Sequence, residues 1–448
     1  MHNLVLRAWL EFRQNYWFWP SVLTALAVIL GFLLPLLDAT MSDEWIGGLD
    51  WLRAMQVDGA RDMLTTLAGA VLGVAGVSFS ITIVAVSFAS GNYGPRLIGN
   101  FMRDRTNQVV LGLFLATFTY CVTVMRAVHA ATGEGGSAEL AAFVPQLSVV
   151  VAMLLALASV GALIYFIHHV PESINIMNIV ARIGAELDAA VERALEDDEQ
   201  TPLAVKDGWI ERDGDTTTIP APISGYVQQI DYDTLEETAE NRDARMRVIR
   251  RAGEFVTKGE DVILVRPSEA LEGDALDEAA QCIAIGPERT GAQDLFFMAD
   301  EMIEVIGRAL SPGINDPHTA VTCLDWLRVG LSRLAADCPS GEEELWRGHR
   351  VARQRASFAS MLRRVFGGVR QYVSTDRNAT LHALLVLESI AGRASTPERL
   401  ALVVEEAEVL VASAREQLAE ESARQEVSER FAAMRRRLAL PGPSEVAA

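Results

Sequence analysis

The chain has 448 residues, half of them hydrophobic, and a formal net charge of −20. That acidity argues against nucleic acid as a partner, because phosphate binding needs clustered Lys and Arg, and against anionic lipid headgroups as a docking surface. Mean hydropathy is nonetheless positive at +0.19, so apolar and charged residues must be segregated along the chain.

Charged residues are sparse through the first 170 positions and dense afterwards. The apolar part holds four runs, at about 17–37, 63–89, 109–128 and 147–167. Each is close to the ~20 residues with which a helix crosses a ~30 Å hydrocarbon core. The first is too long for the apolar region of a cleaved leader and lacks a clear A-x-A site, so it reads as an anchor. Short-loop arginines set the orientation. Arg7 and Arg13 precede span one, and Arg96, Arg103 and Arg105 follow span two, whereas the other two connections are mostly acidic. The expectation is an inner-membrane protein with cytoplasmic N- and C-termini.

Span two differs from its neighbours. Thr66, Gly69, Gly73, Gly76, Ser80, Ser87 and Gly94 recur at steps of three or four residues or their multiples. That spacing gathers small and hydroxyl side chains on one stripe of a helix. Such a stripe permits close helix packing, or lines a water-filled path in an oligomer. No span carries a clearly central Asp, Glu, Lys or Arg, which disfavours a proton- or ion-coupled carrier.

After His168, His169 and Pro171, apolar residues Ile174, Ile176, Ile179, Ile183, Leu187 and Val191 form one helical stripe. This predicts a linker or oligomerisation helix over 171–200. Residues 201–268 read as β, with TTTIPAPISGYVQQIDYDTL giving strand, turn and strand, and RMRVIRRAGEFVTKGEDVILV giving two more strands around Gly253 and Gly259. The API-SGYV and GEFVTKGEDVI runs resemble the barrel-sandwich modules of biotinyl and lipoyl carriers. A carrier lysine is missing from the hairpin tip, so the module is expected to be structural or an interaction platform.

Residues 275–448 read as helical. Thr290 and Gln293 fit a capping box that starts a helix at Gly291. Gly313 is placed to stop that helix in a left-handed conformation, and Asp316–Pro317 to start the next. The corner SPGINDP, with Arg289, Gln293, Asp294, Arg308, Ser311, Gly313, Asn315 and Asp316, is a tight structural turn or, where two helix ends meet, an anion or ligand site. Amphipathic stretches follow at 357–372, 380–390 and 397–440, the last with a seam of Leu400, Val404, Ala407, Val411, Ala414 and Leu418 suited to partner helices.

Four spans, YGPRLIGNFMRDR, SGYVQQID, RTGAQD and RALSPGINDP together resemble a family of predicted bacterial membrane proteins catalogued as a domain of unknown function. The resemblance runs from about residue 10 to past 330. It implies an inner-membrane location and no activity.

No hydrolase, kinase, zinc-protease or dinucleotide-binding motif is present. Cys121, Cys282, Cys323 and Cys338 fit neither a zinc ribbon nor a CxxC pair, so free buried thiols are expected. The sequence thus predicts an α-helical membrane protein. Its four transmembrane helices precede a cytoplasmic α+β domain with a small β-barrel or sandwich-like module and C-terminal helices. Without catalytic residues, metal or cofactor, the functional expectation is a homo-oligomeric channel or pore. The alternative is a membrane-anchored scaffold or sensor that binds a protein partner.

Overall fold

The computed structural model describes residues 17–40, 56–93, 105–129, 143–200, 215–271, 273–338, 344–347 and 350–438. It divides into two compact units, Met1–Asn175 and Ile176–Ala448.

The N-terminal unit is built on four helices: α1 (Phe18–Thr40), α2 (Val57–Tyr93), α3 (Arg105–Met125) and α4 (Gln146–Ser173). All four are long and apolar enough to cross a membrane. At a ~1.5 Å rise per residue, the 37 residues of α2 extend well past a ~30 Å core. Helix α3 is the most enclosed, with half of its most apolar stretch buried. It carries Phe114, Tyr120, Cys121 and Val124, all fully buried.

Glycine sets how closely α1 and α3 approach. A Cβ on Gly112 would lie 2.7 Å from Leu23 Cδ1, and one on Gly31 would lie 2.8 Å from Thr123 Cβ. Polar groups fix the ends. Asp38, near the end of α1, accepts from Leu147 N–H (2.9 Å), Ser148 N–H (3.0 Å) and Ser148 Oγ (2.7 Å), satisfying donors at the start of α4. Arg61 donates to the Val128 carbonyl at 2.8 Å. The helix α4 runs through Pro171 to Ser173, so the expected break at that proline does not occur; the next helix begins at Ile176. Arg7, Arg13, Arg96 and Arg103, which carry most of the orientation argument, lie outside the described residues.

The C-terminal unit opens with α5 (Ile176–Gln200). Its stripe is buried at Ile176, Ile179, Ile183, Leu187 and Val191, covered mainly by the helices α8 (Leu295–Ala309) and α9 (Pro317–Asp337). The predicted linker is therefore part of this unit's own core. A Cβ on Gly184 would lie 2.4 Å from Trp326, and Arg333 of α9 pairs with Asp188 (3.1 Å) and Glu192 (2.9 Å).

The β region forms two sheets. One has the order β1 (Thr217–Pro220), β5 (Asp261–Arg266), β3 (Arg245–Val248), β8 (Val351–Gln354), β7 (Glu344–Arg347); the other has β4 (Phe255–Val256), β2 (Gly225–Ile230), β6 (Ile283–Gly286). This corrects the single module over 201–268. Strands β6, β7 and β8 come from later in the chain, β3 and β8 pair in parallel, and α6 (Tyr232–Asn241) and α7 (Asp274–Gln281) interrupt the strands. The helix α6 forms where strand was expected because Asp231 caps it, accepting from Thr234 N–H. The core of this region includes Ile219, Ile230, Leu235, Met246, Ile263 and Leu271.

Helices α10 (Phe358–Val373), α11 (Arg377–Ala391), α12 (Pro397–Gln417) and α13 (Glu421–Arg437) complete the unit. Ser357, Asp376 and Thr396 cap the first three. The expected single stretch over 397–440 is two helices. On α12 the buried residues are Val403, Ala407, Leu410, Val411 and Ala414, and the helix packs on α10 and α11. The seam assigned to partner helices is thus largely used within the chain.

Candidate functional site

Helix α2 is two-faced. One side buries Ala60, Leu64, Ala68, Val71, Ala75, Ser78, Thr82, Ala85 and Ala89 against α3 and α4. The opposite side carries Thr66, Gly69, Gly73, Gly76, Ser80 and Ser87, all exposed. A Cβ placed on Gly69, Gly73 or Gly76 would meet nothing within 4 Å. Ser80 Oγ donates to its own helix at the Gly76 carbonyl (2.9 Å), which satisfies the hydroxyl without a neighbour. Thus the six residues lie on one face of α2 that is exposed among the described residues. Large apolar side chains share it: Val77 and Val84 are exposed on the same stripe, and Leu72 and Ile83 are exposed beside it. Gly94 lies outside the described residues.

The second candidate set does not gather at one place. Arg289, Gln293 and Asp294 lie at the N-terminal end of α8; Arg308, Ser311, Gly313, Asn315 and Asp316 lie at its other end. Helix α8, 15 residues long and roughly 22 Å from end to end, holds the two groups apart.

The RTGAQD run ties α8 to the sheet. Gln293 caps no helix: its Oε1 accepts from Ile230 N–H and its Nε2 donates to the Ile230 carbonyl, both at 2.9 Å. It acts as a surrogate strand residue on β2. The helix starts at Leu295 instead of Gly291, because Asp294 caps it through Phe296 N–H at 3.0 Å. Arg289 donates to Asp294 Oδ2 (2.6 Å) and Asp300 Oδ2 (2.7 Å), and Arg364 of α10 donates to both Asp300 oxygens at 2.7 Å. Burial works against the Asp300 charge, but hydrogen bonds from Arg364 and Arg289 outweigh it and hold the carboxyl below its ordinary range. For Asp294 burial dominates and pushes the carboxyl up, against the bonds from Arg289 and Phe296 N–H.

At the far end, Ser311 Oγ donates to the Arg308 carbonyl (2.6 Å), and Asp316 N–H returns to the Ala309 carbonyl (2.7 Å). The left-handed residue is Asn315, φ 50°, and not Gly313; Asn tolerates that region best among residues with a side chain. Asp316 caps α9 through Thr319 N–H (3.2 Å) and accepts from Thr319 Oγ1 (2.6 Å). Arg308 pairs with Glu304 at 3.2 Å. The hydrogen bonds of Ser311 and Asp316 serve the turn and the helix cap themselves.

Sequence reasoning missed three residues of the network. Asp300 and Arg364 stand 64 positions apart, with no local signal to join them. Gly253 (φ 91°) would place a Cβ 1.9 Å from Asp294 Oδ2, so the strand turn and the helix cap fit only with glycine there. All four cysteines are free and buried, and burial raises the Cys323 thiol far above its ordinary range. Among the described residues, no group of three or more His, Cys, Asp or Glu side chains is placed to hold a metal ion.

Uncharacterized proteins of Mycobacterium bovis and of two Mycobacterium tuberculosis strains are each 29% identical to this chain over 377 residues, covering 82% of it and 70% of their own length. No solved structure matches. A family model described as predicted membrane protein (DUF2254) matches residues 13–389. The chain belongs to that family of predicted membrane proteins.

Proposed function

We propose that the protein is a homo-oligomer of the bacterial inner membrane in which α2 lines a path for ions or small solutes. The C-terminal unit, in the cytoplasm, serves assembly and gating. The observation that carries this reading is the open face of α2. Among the described residues its glycines and hydroxyls are exposed, and a Cβ on Gly69, Gly73 or Gly76 meets nothing within 4 Å. A small, weakly polar face in a membrane helix suits a neighbouring backbone or water better than lipid.

The test is reconstitution of the purified chain in liposomes with current recording under voltage, tension and ligand screens. Conductance altered by Gly73→Leu and Ser80→Leu is the expected result. Because both positions are exposed among the described residues, the variants should fold. Absence of any conductance, with the two variants changing nothing but yield, would sink the proposal. A cysteine at position 73 that crosslinks between copies tests the oligomer separately.

The scaffold reading has its own support. Ile223 and Phe255 are 51% and 57% exposed beside turns joined by Lys258 N–H to Ser224 Oγ at 2.8 Å. Two apolar side chains exposed there suit a protein partner. A stoichiometric partner crosslinked in native membranes, lost on Phe255→Glu and with no solute flux, would favour it.

A further inference from the structure

One end of the N-terminal unit is tied by polar bonds. Asp38, near the end of α1, accepts from Leu147 N–H, Ser148 N–H and Ser148 Oγ. Tyr120 Oη of α3 donates to the Ser148 carbonyl at 3.0 Å, and Arg61, near the start of α2, donates to the Val128 carbonyl. The first turn of α3 lies at the other end of that helix, and it buries two amide side chains in succession. Asn107 and Gln108 are each 2% exposed. Gln108 is engaged. Asn107 is not: among the described residues neither its Nδ2 nor its Oδ1 has a hydrogen-bond partner.

A side-chain amide carries two donors and an acceptor oxygen. Enclosed without partners, it opposes the packing that encloses it. Asparagine is also among the poorer helix formers, because its amide competes for the backbone. Its face of α3 is apolar further on. Val110 and Phe114, three and seven residues later and so on the same side of the helix, pack in one cluster with Val71, Ala75 and Ala85 of α2 and with Phe166 and Val170 of α4. Arg105, exposed at the first position of α3, sets the turn at the edge of the apolar span, within reach of water.

We propose that the first turn of α3 is a built-in opening point of the N-terminal unit. It alternates between the packed arrangement, in which Asn107 is enclosed, and a locally opened one in which the amide reaches water. Opening releases this end of α3 from α2 and α4, while the bonds at Asp38 and Arg61 hold the other end. The amide is the element that keeps the two arrangements close in free energy. The device rests on the burial of one side chain and stands whether or not α2 lines a path.

The experiment is hydrogen–deuterium exchange of the full chain in phosphatidylcholine nanodiscs, read at the amides of Val109, Val110 and Leu111, whose intrahelical bonds break when the first turn opens. Leucine repeats the branched shape of asparagine without its polar atoms, so Asn107→Leu should slow this exchange roughly tenfold or more. Asn107→Asp should speed it, although an acidic residue in a first turn otherwise favours a helix. Gln108→Leu removes an engaged amide and should not slow it. Exchange at Thr117 to Tyr120, further along α3, should not change in any of the three. Unchanged or faster exchange in Asn107→Leu would show that the amide is served in the packed arrangement, and overturns the proposal. Equal slowing by Gln108→Leu overturns it too, because added apolar surface would then be the cause. If Asn107→Leu does not fold, Asn107→Asp decides: exchange no faster than in the unaltered chain refutes the opening point.

Discussion

Gly253 and Gly259 form a controlled pair. Both have left-handed backbone, φ 91° and 87°, and both lie in the turns around β4. An alanine in that region costs roughly 1–2 kcal/mol. At Gly259 nothing lies within 4 Å of the added carbon, so Gly259→Ala should cost only that. At Gly253 the carbon would sit 1.9 Å from Asp294 Oδ2 and 2.5 Å from Asp294 Cγ. Asp294 must then leave, taking with it the cap on α8, worth about 1 kcal/mol, and its pairing with Arg289. Breaking a buried pair costs about 3–5 kcal/mol; the two losses overlap because they share one carboxylate. Gly253→Ala should therefore cost about 3 kcal/mol more than Gly259→Ala. With a urea slope of ~1–3 kcal/mol per molar, the two midpoints should differ by about 1 M or more. Pulse labelling of Cys323 reads this, because that thiol is fully buried in α9; Cys121, Cys282 and Cys338 would be replaced by alanine. Equal midpoints for the two variants would refute the account of Gly253.

Asp300→Asn should destabilise the same unit by about 3–5 kcal/mol, because Arg289 and Arg364 both converge on that carboxylate. Arg364→Gln should cost about 1 kcal/mol or less, its side chain being half exposed; the Cys323 labelling assay ranks the two. Stability should also fall in acid. Asp300 and Glu388 are held below their ordinary values of 3.8 and 4.5: burial opposes each charge, but arginine hydrogen bonds outweigh it. The unfolded chain therefore takes up protons first, and stability present above about pH 4.5 is lost as pH falls through the carboxylate range. Asp294, raised by burial, works in the opposite sense, so Asp300→Asn or Glu388→Gln should flatten the acid limb of a denaturation-against-pH curve, and a steeper limb would contradict this. In the N-terminal unit, Asp38→Asn weakens three hydrogen bonds into the start of α4 and should cost about 1–2 kcal/mol, read as earlier labelling of buried Cys121.

The legible parts of the chain were those governed by short-range rules. The four apolar helices follow from run length, and the cap at Asp316 sits where its residue type, followed by Pro317, places it. Long-range pairing was not legible. Strand β8 joins β3 across about 100 positions because Val351 and Ala352 find Met246 and Arg247 in register, and no periodicity in either segment announces it. Gln293 was misread for a related reason. Its position after Thr290 fits a capping box, but its amide finds both backbone groups of Ile230, 63 residues earlier, and Asp294 takes over the cap. The left-handed residue was misplaced because Gly313 and Asn315 both tolerate it; the return bond from Asp316 N–H to Ala309 fixes the choice at Asn315.

Glycine placement separates the two kinds of membrane-helix contact in the N-terminal unit. Each glycine in a helix interior is about 0.8–1 kcal/mol less favourable than alanine. Gly31 and Gly112 have a visible reason, since a Cβ at either would collide with Thr123 or Leu23; there the cost is offset by the close approach of α1 and α3. Gly69, Gly73 and Gly76 meet nothing. Alanine would fit each of them within the protomer, would favour the helix, and would expose slightly more apolar surface to lipid. Three glycines on one face thus carry roughly 3 kcal/mol of helix cost that no contact among the described residues offsets. The proposed function locates the compensating interaction outside the protomer, in a second copy of α2 or in water along an oligomer axis. The two differ in what a methyl group does at these positions: against a neighbouring backbone it separates the copies, whereas along a water path it narrows the path and leaves assembly intact.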